Sequence, residues 1–254
     1  MYVDNMLTRD RFVIPRRLLP SAMLLGQSPG NSGGIPAVTL TELRRAGVVT
    51  NAGRLKDEAA SLLGVMSDAA LVSSIEVRGK GTESASTIWA TTRGAAVGRQ
   101  VDEDMCELIP IRPTSLPVVM AHIVEIGRRP EPPFFGAGLL ADGALELALD
   151  RIADAPSTAI DILVAAGLDR TWADRLLIAH EHMRSHWSVS SVWTDQMGSH
   201  HVRSVSVLDG GAAGYWRIEA QPISPPSSRF SVVTLAQVMR LLRSTIPPTD
   251  TLSV

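Results

Sequence analysis

Five of the six histidines, His180, His182, His186, His200 and His201, crowd into one short region. If residues 176–185 are helical, His182 and His186 stand at i and i+4, a spacing that can clasp a metal ion, and Glu181 adds a carboxylate. The order His-Glu-His is not H-E-x-x-H, in which one helix face supplies a zinc hydrolase with two ligands and its general base. A second candidate is Gly30-Asn31-Ser32-Gly33-Gly34, which satisfies G-x-S-x-G. A hydrolase needs that serine on a sharp turn directly after a strand, and here the preceding residues form a Pro-containing loop. Read instead as a serine-protease signature, it would need a histidine ahead of the serine, yet every histidine follows Ser32. A third candidate is the acidic group Asp102, Glu103, Asp104 and Glu107. Paired carboxylates can divide acid and base roles when their surroundings separate their pKa values, but consecutive turn residues point in different directions, so a solvated hairpin tip is expected. No phosphate-cradling G-x-x-x-x-G-K-[ST] loop occurs, and Gly79-Lys80-Gly81-Thr82 lacks its spacing. Each catalytic reading fails at its second required part. The expectation is a chain with no catalytic, cofactor-binding or metal residues and no cofactor. A metal-dependent or serine hydrolase using the His180–His186 cluster or Ser32 is the alternative.

Composition narrows the class further. The 254 residues are 45% hydrophobic and 20% charged, with a formal charge of −2. That length can bury about 70–75% of its unfolded surface in a core. Without a basic excess there is no electrostatic footprint for nucleic acid or anionic membrane. The single Cys106 cannot form an intramolecular disulfide, so nothing asks for an oxidising compartment. No apolar run approaches the ~20 residues that span a bilayer. Arg16-Arg17 followed by residues 18–25 faintly imitates a secretory leader, but Pro20 interrupts the run and no small-x-small cleavage site follows. It is read as a strand or short helix docking on the body, and a cytoplasmic location is expected.

The elements that would carry any site are clearest near the C-terminus. Trp187, Val189, Ser191 and Trp193 fall on one face of an extended segment, with Val192 opposite. Residues 202–208 (VRSVSVL) alternate apolar and polar as a half-buried strand does. Asp209-Gly210-Gly211 is turn chemistry, residues 215–219 resume the strand, and residues 230–233 form a last one. The period then changes to that of a helix over 233–244, with Thr234 as its N-cap. The same order appears earlier: residues 41–47 (TELRRAG), a helix-like run at 55–66, strands at 71–77, 87–92, 95–100 and 105–111, and a helix over 115–126. Helical patterns at 160–167 and 172–183 precede the second set of strands. The echo predicts a duplication: one α+β domain over 1–254, with halves near 36–127 and 141–246 and a variable segment over 1–35.

With the catalytic readings incomplete, surface remains. Residues 79–86 (GKGTESAS) read as a polar connection longer than a minimal hairpin turn, able to reach a partner. Trp89, Trp187, Trp193 and Trp216 lie in predicted strands. Core is the better expectation for any one of them, but an open face carrying Trp187 and Trp193 would offer rigid anchors. Arg78, Arg203 and Arg217 are interleaved as charge partners. The same Trp face buried against a second copy would make a self-assembling scaffold, a further alternative.

Two stretches resemble a known family. The segment from Pro36 to Gly79, with ELRRAGVVTNAGRL leading through a helix to LVSSIEVRG, is similar to the first half of the EspG proteins, cytosolic chaperones of type VII (ESX) secretion in mycobacteria and their relatives. The ending, HHVRSVSVLDGGAAGYWRIEAQP and then LAQVMRLLRST, is similar as well, and the order of elements matches from about Pro36 to Ile246. The resemblance implies a pseudo-two-fold α+β fold with a large antiparallel sheet flanked by two helical bundles. It implies a partner too, the helical tip of the PPE subunit of a PE–PPE heterodimer, kept soluble and export-competent in the cytosol. Carried onto this chain, the family's interface implies Arg78, Gly79, Lys80, Gly81, Thr82, Glu83 and Ser84 in the first half. In the second it implies Trp187, Val189, Trp193 and Arg203, with the nearby C-terminal bundle. Two departures stand out: residues 1–35 lack the family's opening helix pattern, and the connection at Gly79 is short.

Overall fold

The computed structural model describes residues 11–27, 35–79, 81–130, 136–152, 154–222 and 225–248. A strand at Phe12–Pro15 (β1) leads into helices Leu19–Gln27 (α1), Ala37–Arg45 (α2) and Asp57–Ser67 (α3). Strands Leu71–Gly79 (β2), Thr82–Ala90 (β3), Ala95–Gln100 (β4) and Met105–Ile111 (β5) follow, and helix Leu116–Ile123 (α4) closes the unit. The plan then repeats. Strand Ala137–Ala141 (β6) precedes helices Ala144–Ile152 (α5), Pro156–Ala165 (α6) and Arg170–Glu181 (α7). Strands Ser185–Thr194 (β7), His200–Asp209 (β8), Tyr215–Gln221 (β9) and Ser227–Val233 (β10) lead to helix Leu235–Ser244 (α8).

The sheet order is β1-β5-β4-β3-β2-β7-β8-β9-β10-β6, antiparallel throughout. It reads the same from either edge once β1–β5 are matched to β6–β10, so the duplication is built into the hydrogen bonding. The pseudo-two-fold axis passes between β2 and β7, where Ile75 opposes Val189. Side chains alternate across a strand, and the repeats use that alternation alike. On one face α4 and α8 cover Leu71, Ile75, Ile88, Trp187, Val189 and Val207 at the middle of the sheet. On the other face α1, α2 and α3 cover β4 and β5 through Ala96 and Leu108. There α5, α6 and α7 cover Leu208, Trp216 and Phe230. Among the described residues no helix lies over the middle of that second face.

Local chemistry explains the boundaries. Thr234 caps α8 in a full capping box: its Oγ1 accepts from Gln237 N at 3.2 Å, and Gln237 Oε1 accepts from Thr234 N at 2.7 Å. Asp169 caps α7 by accepting from Trp172 N at 3.0 Å. Pro20 sits in the first turn of α1, where its missing N–H removes no helix bond. The first repeat therefore opens at Phe12, ahead of the boundary near residue 36, and residues 12–27 supply the strand and opening helix that the sequence pattern did not display. Position 32, and with it the serine candidate, lies outside the described residues. Among the described residues no helix is long and apolar enough to cross a membrane.

Candidate functional site

The uncovered middle of the sheet is a saddle between the two helix clusters, floored by β3, β2, β7 and β8. Those strands span about 15 Å at ~4.8 Å per strand, and the floor from His186 to Val192 runs about 20 Å at ~3.3 Å per residue. An α-helix with its side chains is about 10–12 Å across, so the saddle has room for the end of a helical hairpin.

Register sets the chemistry of the floor. One end is apolar: Val72 opposes Val192, and Val192 opposes Val202, with Val192 46% and Val202 65% exposed. The middle is a serine belt. Ser74 opposes Ser190 and Ser190 opposes Ser204, and the Oγ atoms of Ser190 and Ser204 are 3.0 Å apart. The far end is charged, where Arg78 opposes both His186 and Glu83. Arg78 Nε donates to Glu83 Oε1 at 3.0 Å, and its Nη2 lies 3.6 Å from Glu76 Oε2. His186 Nε2 is 2.8 Å from Ser206 Oγ. Burial holds the His186 imidazole below its usual pKa, with the nearby positive charge of Arg78 and then His180 adding to the effect.

At that charged end the floor meets a cavity of about 560 Å³. Its apolar wall includes Leu140, Leu145, Leu149, Met183 and Phe230. Arg78, His180 and His186 also line it, as do Asp142 and Glu146.

Sheet parity divides the expected partner residues. Arg78 and Glu83 lie on the saddle face at the β2–β3 end, and Gly79, Gly81 and Thr82 form the adjoining hairpin tip. Position 80, the lysine, lies outside the described residues. Ser84 lies on the opposite face, lining a separate hollow beside α4. The long polar connection over 79–86 is corrected: Gly79 pairs directly with Thr82, so 82–86 is strand. The hairpin is pressed against the second repeat, since a Cβ on Gly79 would come within 3.1 Å of Arg184 O.

The tryptophan face is corrected as well. Trp187 is 1% exposed and Val189 fully buried, both under α4 and α8. Neither can touch a partner on this surface, and the face cannot be the buried contact of a self-assembling scaffold, because the chain's own helices occupy it. Trp193 is held at the edge of that core, with His201 stacked 5.2 Å from its ring and the Arg203 guanidinium 5.5 Å from its centroid. Arg203 Nη1 also donates to Ser244 O at 2.7 Å, which fastens β8 to the end of α8.

The histidine clasp does not form. α7 ends at Glu181 with His182 as its C-cap, and His186 lies inside β7, so helical i, i+4 geometry never arises. Among the described residues no three His, Cys, Asp or Glu side chains are placed to hold a metal ion. Of the acidic group, residues 102–104 form the hairpin tip as expected. Glu107 instead lies within β5, buried, taking Arg99 Nη2 at 2.9 Å and Arg11 Nη1 at 3.2 Å. The serine belt and the valine row were missed, although the S-x-S-x-V alternation opposite the tryptophans carried the signal. The cavity had none, because it joins α5, α7, β6 and β10.

No protein-family model matches the chain, and a search of curated proteins finds no match. Among solved structures the chain is similar to the Mycobacterium tuberculosis type VII secretion system chaperone EspG5, solved in complex with a PE25–PPE41 dimer. The TM-score is 0.64 at 12% identity, over 96% of this chain and 100% of that one. At that identity the likeness is one of fold: the chain has the EspG fold.

Proposed function

We propose that this protein is a non-enzymatic chaperone that seats the helical tip of a PPE-type subunit in the saddle and so keeps a PE–PPE secretion substrate soluble in the cytosol. The observation that carries the reading is the saddle itself, an uncovered stretch of central sheet wide enough for a helical tip, in a fold shared with a chaperone solved with such a pair. Supporting it, the floor is apolar at one end, neutral and hydrogen-bonding in the middle, and charged beside a cavity at the other. That gradient suits the mixed surface of a helix–helix turn. The residues proposed to contact the client are Val72, Ser74, Arg78, Ser190, Val192 and Val202, with the hairpin tip from Gly79 to Glu83.

The test is co-purification from the native cytosol, followed by titration of the recovered PE–PPE pair. Near-equal recovery is expected. Ser190→Arg, which fills the floor from a half-buried position facing the saddle, should weaken binding at least tenfold without lowering the melting temperature. Failure to recover any helical secretion substrate from cells that express them would sink the proposal.

A further inference from the structure

The cavity at the charged end is lined by the second repeat apart from Arg78 of β2, and His186 stands where it meets the floor. Within the sheet His186 faces Arg78 on β2 and hydrogen-bonds Ser206 on β8. His180 from α7 lines the same cavity, as do Asp142 and Glu146, while Glu76 and Glu83 flank Arg78. Two imidazoles and a guanidinium thus line one cavity together with apolar side chains, and the His186 imidazole is already partly withdrawn from water.

We infer that occupation of this cavity is controlled by the protonation of His186, so that an apolar group enters when the imidazole is neutral and is expelled on acidification. The inference rests on the chaperone reading only for the identity of the occupant, an apolar side chain of the helical tip seated on the adjoining floor. An apolar group over the cavity takes away the water that would solvate an imidazolium, while the Arg78 guanidinium remains opposite. Binding therefore lowers the pKa of His186 further below its value in the free protein. By linkage, affinity is at its full value above the free-state pKa. It declines as pH falls through that pKa, by up to about tenfold for each unit between the free and bound values. Because the free-state pKa is itself below the ordinary ~6.5, the decline lies on the acid side of neutrality.

Two probes separate this inference from the chaperone proposal. Nile red, uncharged over the range, is titrated at pH 5.0 and 7.5. Its occupancy of the cavity is defined as the signal lost in Leu208→Trp/Ile218→Gly, a pair that copies the first repeat's filling of the equivalent space. Thermal melts verify that this variant folds. The PE25–PPE41 dimer is titrated in parallel. The expected result is weaker Nile red binding at pH 5.0 than at pH 7.5 in the parent and a flat profile in His186→Gln. If PE25–PPE41 fails to bind while Nile red behaves so, the inference stands and the chaperone reading for that pair falls. Identical pH profiles in parent and His186→Gln would overturn it. So would affinity that rises on acidification, or cavity binding by neither probe.

Discussion

The two repeats share one topology and differ in what fills the equivalent places. Beside the saddle the first repeat sets the Trp89 ring over Gly98, where an added Cβ would meet the ring at 2.8 Å. The second repeat has Leu208 and Ile218 there, and beside them lies the 560 Å³ cavity. In the first repeat the corresponding space between α1, α3 and β5 has no room for a water molecule. On the opposite face the roles reverse. Trp193 and Arg203 fill the second repeat, where the first has Gly79 and Ser84 and a hollow lined by Ser84, Ser86 and His122. A duplicated backbone thus presents a closed end and an open end without any change of strand order.

The comparison can be broken hardest at Asp209. Arg129 Nε donates to Asp209 Oδ1 at 2.8 Å and its Nη2 reaches Oδ2, with both side chains largely buried. The pair ties the inter-repeat segment to β8, whereas β3 ends in the buried Ala90 at the matching position. Removing one partner of such a pair leaves an uncompensated charge, so Asp209→Ala should cost about 3–5 kcal/mol, read as a fall in denaturation midpoint.

A smaller effect tests the seam. Ser73 Oγ and Ser191 Oγ lie 2.7 Å apart, both fully buried, bridging β2 to β7 across the pseudo-two-fold axis. Ser73→Ala or Ser191→Ala alone should cost about 1–3 kcal/mol, because the partner hydroxyl is left unsatisfied. The double replacement should cost less than the sum of the singles, and a strictly additive cycle would show that the two hydroxyls do not act as a pair.

Smaller again is the difference between the closing helices. Thr234→Ala removes the capping box of α8 and should cost about 1 kcal/mol. Ser115→Ala, at the N-cap of α4, should cost close to nothing, since Ser115 makes no side-chain cap bond. Equal losses in chemical denaturation would contradict the assignment. Last comes the far end of α4. Glu125 adopts φ 53°, and its N–H bonds to His122 O while Ile126 N–H bonds to Ala121 O, a Schellman ending built without glycine. Glu125→Gly should raise stability by up to about 1 kcal/mol, and an unchanged or lower melting temperature would refute it.

Much of the fold was legible because side-chain period is a local property. The alternation in residues 202–208 and the change to helical period after Thr234 mark β8 and α8 to within a few residues. So do β4 and β5, read as 95–100 and 105–111. β1 and β6 escaped because short edge strands are defined by pairing, with Ile14 opposite Cys106 and Leu140 opposite Ser228, and no run of their own announces them. The site was half legible. Sequence parity put Val192 opposite Trp187 and Trp193, which is correct, but it could not say which face α4 and α8 would cover.

Sequence alone determined most of the central strands and the closing helices, the duplicated order and the alternation that divides each strand into two faces, since period, capping and turn chemistry act over a few residues. Tertiary structure decided which face became core, that His182 and His186 fall on different elements, and that a cavity lies beside Leu208 and Ile218. Those outcomes depend on side-chain volumes brought together from distant strands and helices, and that sum exists only once the sheet has closed around its pseudo-two-fold axis.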